Sequence, residues 1–258
     1  MATRRRRAVR GVAAGGRMLL LALLTALALV PVAAIVGRTT PTAVGAALDG
    51  LGATWLGNSL TVALATTAAS LAIGVPAGYV LSRARGRWVS GYALVLFGAM
   101  SLPIVGIVVP LFILIARAGL ADSLSGVEIV YVGSTVAVAA WMSAAAIDEV
   151  PIELEEAAWI DGCSVAMGFW RVALRVAAPA LVPVAVFVIL LAWNEYMIAV
   201  TFLRSDEVLT LGVAVAASRS PALAVVMMVP PVVLAVVLVV VTRTRGLRAA
   251  AGPRVRVR

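Results

Sequence analysis

Between Met18 and Val241 the chain is a succession of apolar runs, several close to or longer than the roughly 20 residues that a helix needs to cross a bilayer. Apart from Glu195, these runs carry no ionisable group deep inside them. No other feature narrows the choice of fold so far. Of the 258 residues, 63% are hydrophobic, against roughly half in a soluble domain, and the mean hydropathy is +1.08. The chain reads as a polytopic, all-α membrane protein.

Six spans are expected, at about 18–36, 56–81, 91–116, 129–147, 178–202 and 222–241. The third is interrupted by Pro103 and Pro110, which free backbone carbonyls and kink a membrane helix. The apolar run 208–217 is too short to span and reads as a re-entrant or surface helix on the outer side. Residues 37–55 read as a short outer loop. The run 18–36 could also be the core of a cleaved signal peptide. It is long for one, and no clear A-x-A site follows, so it reads as a retained span.

Charge sets the orientation. All 21 basic residues are arginine. With both termini inside, only Arg38, Arg117, Arg204 and Arg219 fall outside, and the positive-inside rule places the termini in the cytoplasm. Residues 1–17 and 242–258 are then basic cytoplasmic segments suited to anionic lipid rather than to nucleic acid.

Composition also removes most chemistry. The chain has neither lysine nor histidine. A phosphate loop that hydrolyses ATP needs its lysine, and histidine-ligated metal sites and Ser-His-Asp catalysis are excluded. Cys163 stands alone, so no internal disulfide forms. The expectation is a protein with no metal, no cofactor and no enzymatic activity of its own.

One stretch breaks the apolar pattern. Residues 148–177, between the fourth and fifth spans, hold Asp148, Glu149, Glu153, Glu155, Glu156 and Asp161, half of the 12 acids. Pro151 suits a helix start, the glutamates suit the positive end of the helix dipole, and Gly162 suits a left-handed helix end. Ser164 can cap a second helix that carries Phe169, Val172 and Val176 at helical spacing. The expected unit is helix, tight turn, helix: a shape that docks into another protein.

Glu156-Ala157-Ala158 followed by Asp161-Gly162 resembles the EAA loop of ABC importer permeases, and Phe169 and Pro179 fit the same pattern. Cys163 and Arg175 depart from it, standing where alanine and proline are usual. Asn58-Ser59-Leu60, the run Ala77 to Arg83, Leu102-Pro103, Pro110-Leu111-Phe112, Gly119-Leu120, Asp122-Ser123 and Trp193-Asn194-Glu195-Tyr196 resemble the maltose-type carbohydrate permeases, in order along about 56–215. The resemblance, to the second permease of such systems, implies the MetI-like fold of six transmembrane helices in the cell membrane. It implies a second permease subunit, two ABC ATPase subunits and an extracytoplasmic solute-binding protein as partners. Glu155, Glu156, Ala157, Ala158, Asp161, Gly162 and Phe169 would then form the ATPase-coupling loop.

Asn194, Glu195 and Tyr196 allow two readings: an interfacial belt, or a polar lining of the translocation path. A stand-alone secondary transporter or channel is the alternative function. Such proteins usually place ionisable groups at mid-membrane, where this chain has few.

Overall fold

The structure is a computed structural model that describes residues 26–27, 29–30 and 32–251, with side chains described as far as residue 240. Most of the run 18–36, the basic segment 1–17 and the end of the tail lie outside the described residues. Among those described, every regular element is helical. Four helices are long and apolar enough to cross a membrane, and one bent pair would make a fifth span.

The region 37–55 is not wholly loop. Thr40 accepts a hydrogen bond from Ala43 N at 3.2 Å and caps the short helix α1 (Pro41–Leu48), with Pro41 in the first turn, where its missing N–H costs nothing. Helix α2 (Leu51–Arg83) follows at once and is 33 residues long, five residues earlier than the expected span begins. The next apolar stretch is two helices, α3 (Arg87–Ser101) and α4 (Ile104–Arg117), bent by 96°. The interruption expected in the span 91–116 is a sharp break at Pro103 rather than a gentle kink. Pro103 disfavours the helical conformation at Leu102, which is extended at ψ 124°, and the axis breaks there. Pro110 is tolerated inside α4.

Helix α5 (Leu124–Asp148) starts at Ser123, whose hydroxyl accepts from Gly126 N at 3.2 Å. The elbow helix α6 (Glu153–Ile160) and the single turn α7 (Val165–Gly168) come next. A π-helical turn, Phe169–Ala173, carries α7 straight into α8 (Leu174–Asn194). The second half of the expected loop 148–177 is therefore the foot of the following membrane helix. After a break at Glu195 and Tyr196 come α9 (Met197–Phe202), α10 (Leu211–Ser218) and α11 (Pro221–Ala251).

Helices α2, α5 and α8 form the packed centre. The approach of α2 to α5 is set by small residues. A Cβ on Gly74 would stand 2.7 Å from Ala139 Cβ, and one on Gly78 would stand 2.7 Å from both Ala140 O and Ala144 N. Van der Waals contact of backbone with backbone is the main attraction open to helices in lipid. Ser70 and Thr135 hydrogen bond across the seam at 2.7 Å, both buried. At the end away from the elbow, Val62, Val127, Tyr131, Trp193, Ile198, Phe202 and Leu211 make the main apolar core. Trp193 Nε1 donates to Met227 O at 3.0 Å, tying α11 to it.

Gly78→Ala is expected to destabilise the helix bundle by about 1–3 kcal/mol, because the added methyl meets backbone atoms that cannot yield. Gly91→Ala in α3, where a Cβ meets nothing within 4 Å, is the control and should be neutral or slightly stabilising. Thermal unfolding of the detergent-solubilised variants reads the difference.

Candidate functional site

The elbow is built by local rules. Ile152 precedes the first helical residue, with Pro151 one position ahead of it rather than in the first turn. Glu153, Glu155 and Glu156 occupy the first turn, at the positive end of the helix dipole. At the other end Gly162 takes φ 88°. Cys163 N then reaches Ala158 O at 2.9 Å and Gly162 N reaches Trp159 O at 3.0 Å, which closes the helix with a glycine-dependent cap. Ser164 Oγ accepts from Met167 N at 3.2 Å and starts the next turn.

This small unit has two faces. Successive helix positions differ by about 100°, so Glu155 and Glu156 point in different directions. Glu155 is fully buried. Its Oε1 accepts from Arg83 Nε at 2.9 Å and lies 2.8 Å from Nη2, while Oε2 accepts from Tyr79 Oη at 2.6 Å. Arg83 Nη2 also donates to Val150 O at 2.7 Å, and Ser82 Oγ donates to Asp148 Oδ1 at 2.5 Å. A charge-assisted guanidinium N–H bond to a carboxylate, here with the second nitrogen also within ion-pair distance, is among the stronger side-chain hydrogen bonds. Phe169 is buried as well, with its ring 4.7 Å from that of Tyr79. Trp159 lies half-buried over Gly168, where a Cβ would stand 2.8 Å from its Nε1.

The opposite face is open. Glu156, Ala157, Asp161 and Gly162 are exposed and Ala158 is half-buried. Around them Leu154, Ile160, Val165 and Trp170 present apolar surface, Ile160 at 87% exposure. The residues expected to act together thus divide. Glu155 and Phe169 hold the elbow to the bundle, and the others face outward.

Tyr79, Ser82 and Arg83 lie in the run Ala77 to Arg83 of the family resemblance, but their contact with the elbow was not read from it. Arg83 looked like a marker of the inner side. The signal was present in the spacing: Ile152, Glu155 and Trp159 fall three and four residues apart, on the inward face. A glutamate there requires a buried partner.

At the other end of the bundle, Asn194 ends α8, and Glu195 and Tyr196 form the break before α9. Glu195 is neither a simple belt residue nor a free carboxylate. Its oxygens accept from Ile198 N at 3.0 and 3.1 Å and from Ala199 N at 3.4 Å, capping α9. The buried Tyr131 hydroxyl donates to the Glu195 carbonyl at 3.2 Å. Asn194 and Tyr196 are exposed, and Asn194 Nδ2 is turned back onto Leu190 O at 2.8 Å.

The nearby segment 203–210 is pinned from two sides. Trp55 Nε1 donates to Asp206 O at 2.6 Å, Asn58 Nδ2 donates to Glu207 O and Leu209 O at 2.9 Å each, and Ser59 Oγ accepts from Leu211 N at 2.7 Å. From the α4–α5 turn, Asp122 accepts from Arg204 N at 2.7 Å, from Ser205 N at 3.1 Å and from the Ser205 hydroxyl. The Ser205 hydroxyl, then the Arg204 N–H, hold the Asp122 carboxyl below the usual carboxylate range. A depressed folded-state pKa means this anchorage is present at neutral pH and lost only as pH falls through that lowered value. Between pH 7 and pH 5 the Arg204 and Ser205 amides should therefore keep their hydrogen-exchange protection, once intrinsic rates are corrected. Asp122→Asn should lose much of it at both values. The backbone of residue 122, at φ 53°, suits asparagine as well as aspartate.

Residues 71–256 match the family model described as a binding-protein-dependent transport system inner membrane component. A putative ABC transporter permease of Streptomyces antibioticus is 38% identical over 159 residues, 60% of this chain and 68% of that protein. The trehalose transport system permease SugB of Mycobacterium tuberculosis is 31% identical, over 62% of this chain and 58% of its own length. The trehalose/maltose transport system permease MalG of Thermococcus litoralis is 28% identical, over 63% and 58%. The chain thus spans little more than half of these last two. A solved bacterial ABC transporter involved in the import of the acidic polysaccharide alginate shares the fold, with a TM-score of 0.69 at 21% identity, covering 88% of this chain and 95% of that one. The MetNI methionine ABC transporter follows, with a TM-score of 0.56 at 18% identity, covering 74% and 92%.

Proposed function

The chain belongs to the family of binding-protein-dependent transport system inner membrane components, and from that premise we propose that it is one transmembrane subunit of an ATP-driven importer in the cell membrane. On this reading it forms half of a translocation path with a second, homologous permease. Two ABC ATPase subunits supply the energy, and an extracytoplasmic binding protein delivers the solute. The solute is a carbohydrate or a related small polar molecule, a choice supported by the trehalose and trehalose/maltose permeases among the relatives.

The observation that carries the reading is the two-faced elbow. A chain with no lysine for a phosphate loop has to receive its energy by contact. The elbow offers that contact: Glu156, Ala157, Asp161 and Gly162 lie open beside the exposed Leu154 and Ile160. A small apolar patch ringed by acids suits a groove with basic residues at its edge. Ala157 and Gly162 permit close approach, and Glu156 supplies the charge for a basic partner. Nucleotide-driven closing of the ATPases displaces the elbow, and α5 and α8 tilt with it. At the far end, the break at Asn194, Glu195 and Tyr196 borders the path, because irregular backbone at membrane depth is tolerated where it lines a cavity or is buried in protein. Asn194 and Tyr196 are the residues there that meet solute, while Glu195 keeps the break in shape.

Uptake of radiolabelled trehalose by cells carrying the intact complex tests the reading. Gly162→Val should abolish uptake with unchanged membrane insertion. A β-branched residue cannot hold φ 88° cheaply, although its Cβ would clash with nothing. Gly162→Asn, which tolerates that conformation, should retain most of the activity. Full ATP-coupled uptake by Gly162→Val would count against a coupling elbow. Gradient-driven uptake by the chain alone in liposomes would favour a stand-alone transporter.

A further inference from the structure

Three residues on one face of α2, Tyr79, Ser82 and Arg83, stand three and four positions apart, so their side chains line up along the helix. Between them they touch both flanks of the elbow and its buried face. Ser82 holds Asp148 at the end of α5. Arg83 holds Val150 O in the link before α6 and Glu155 within α6. Tyr79 holds Glu155 with its hydroxyl and meets Phe169, in the π turn after the elbow, with its ring. Yet α2 is separated from the elbow by more than 60 residues of sequence. Covalently, the eight-residue α6 is joined only to α5 and, through α7, to α8, by links that contain Pro151 and Gly162.

We infer that Arg83 and Tyr79 are positioning residues that lock α6 to the end of α2, so that a displacement of the elbow is delivered to α2 directly and not only along the chain to α5 and α8. This rests on the importer reading for the source of the displacement. Burial gives the lock its stiffness. Glu155 has no access to solvent and the Arg83 side chain is 16% exposed, so water cannot readily substitute for either partner. A buried carboxylate that loses its cation leaves an uncompensated charge, so sliding of α6 along α2 is resisted at once. The lock also separates the roles of adjacent glutamates: Glu156 is available to a partner, and Glu155 is committed to α2.

The native Cys163, which follows the elbow turn, is the chain's sole cysteine and serves as one nitroxide site. Val80→Cys, on an exposed position of α2, supplies the other. The complex is isolated through a tag on this chain and placed in lipid nanodiscs. The spin–spin distance is then measured by pulsed electron resonance, without nucleotide and with Mg-ATP trapped by vanadate. In the otherwise unaltered complex, one narrow distance should persist in both states. Glu155→Gln should broaden the distribution and make its centre move with nucleotide, while the bound ATPase still hydrolyses ATP. Tyr79→Phe, which removes one oxygen and keeps the ring against Phe169, should do the same to a smaller extent. It keeps the test decisive should Glu155→Gln fail to fold. Glu156→Gln should leave the distance narrow. A narrow, nucleotide-independent distance in both lock variants overturns the inference, as does a distance that already shifts in the unaltered complex. A complex with no nucleotide-responsive ATPase overturns the importer reading and the transmission role with it, and is recognised without any lock variant.

Discussion

A polar group taken out of water must find its partner inside the protein, and in lipid no solvent stands by to correct an error. That constraint fixes where this chain departs from plain helix. The break at Glu195 survives because the carboxylate returns hydrogen bonds to the amides of Ile198 and Ala199 and the Tyr131 hydroxyl serves its carbonyl. The seam of α2 and α5 accepts Ser70 and Thr135 because each supplies the other. Glu155 enters the interior because the Arg83 guanidinium and a phenol are waiting for it. Each interior charge or break is thus placed by the group that satisfies it, and the glycine seam sets how closely those groups stand.

Helix α2 is held at both ends. Near its start Trp55, Asn58 and Ser59 fasten the segment 203–210 and the first amide of α10. Near its finish Tyr79, Ser82 and Arg83 fasten the elbow. From Asn58 to Arg83 this helix of 33 residues rises about 38 Å at 1.5 Å per residue, more than the roughly 30 Å of a bilayer's hydrocarbon core. The same helix lies along α5 through backbone-close contacts at Gly74 and Gly78. On the proposed reading, an element so held acts as a strut, and its two sets of contacts join segments that are far apart in sequence.

The sequence made the helical class plain, because apolar runs of bilayer length allow little else. The elbow was legible too: Gly162 needed a left-handed position and Ser164 needed a cap to serve, and local rules of that kind depend on few distant atoms. What stayed hidden was long-range. Pro103 announced an interruption, but a kink and a 96° break differ only in whether neighbours restore the helix beyond it. The continuity of α7 with α8 through the π turn depends on the burial of Phe169 against Tyr79, which no local signal carries. Glu195 read as belt or path because its side chain was judged by depth. Its side chain caps a new helix that begins two residues later. The partner of Glu155 was hidden for the same reason: Arg83 stands 72 positions away, and arginines near membrane ends are common enough to be explained by orientation alone.

Why the joint uses an ion pair is a question of geometry more than of stability. Apolar residues of the same volume often hold a buried interface as well or better, since they avoid the desolvation of two charges. Apolar contact is non-directional, however, and a helix that slides by one turn over a smooth surface loses little. The Arg83 fork admits the Glu155 carboxylate in one orientation, with Nη2 also committed to Val150 O and Oε2 to Tyr79. A slide of α6 breaks all of these together and strands a charge where water is excluded. Such a joint adds little to the stability of the resting fold and much to its resistance under load. On the proposed reading, that is the property needed where a short helix, joined to the bundle by a proline and a glycine, receives a push from a partner subunit.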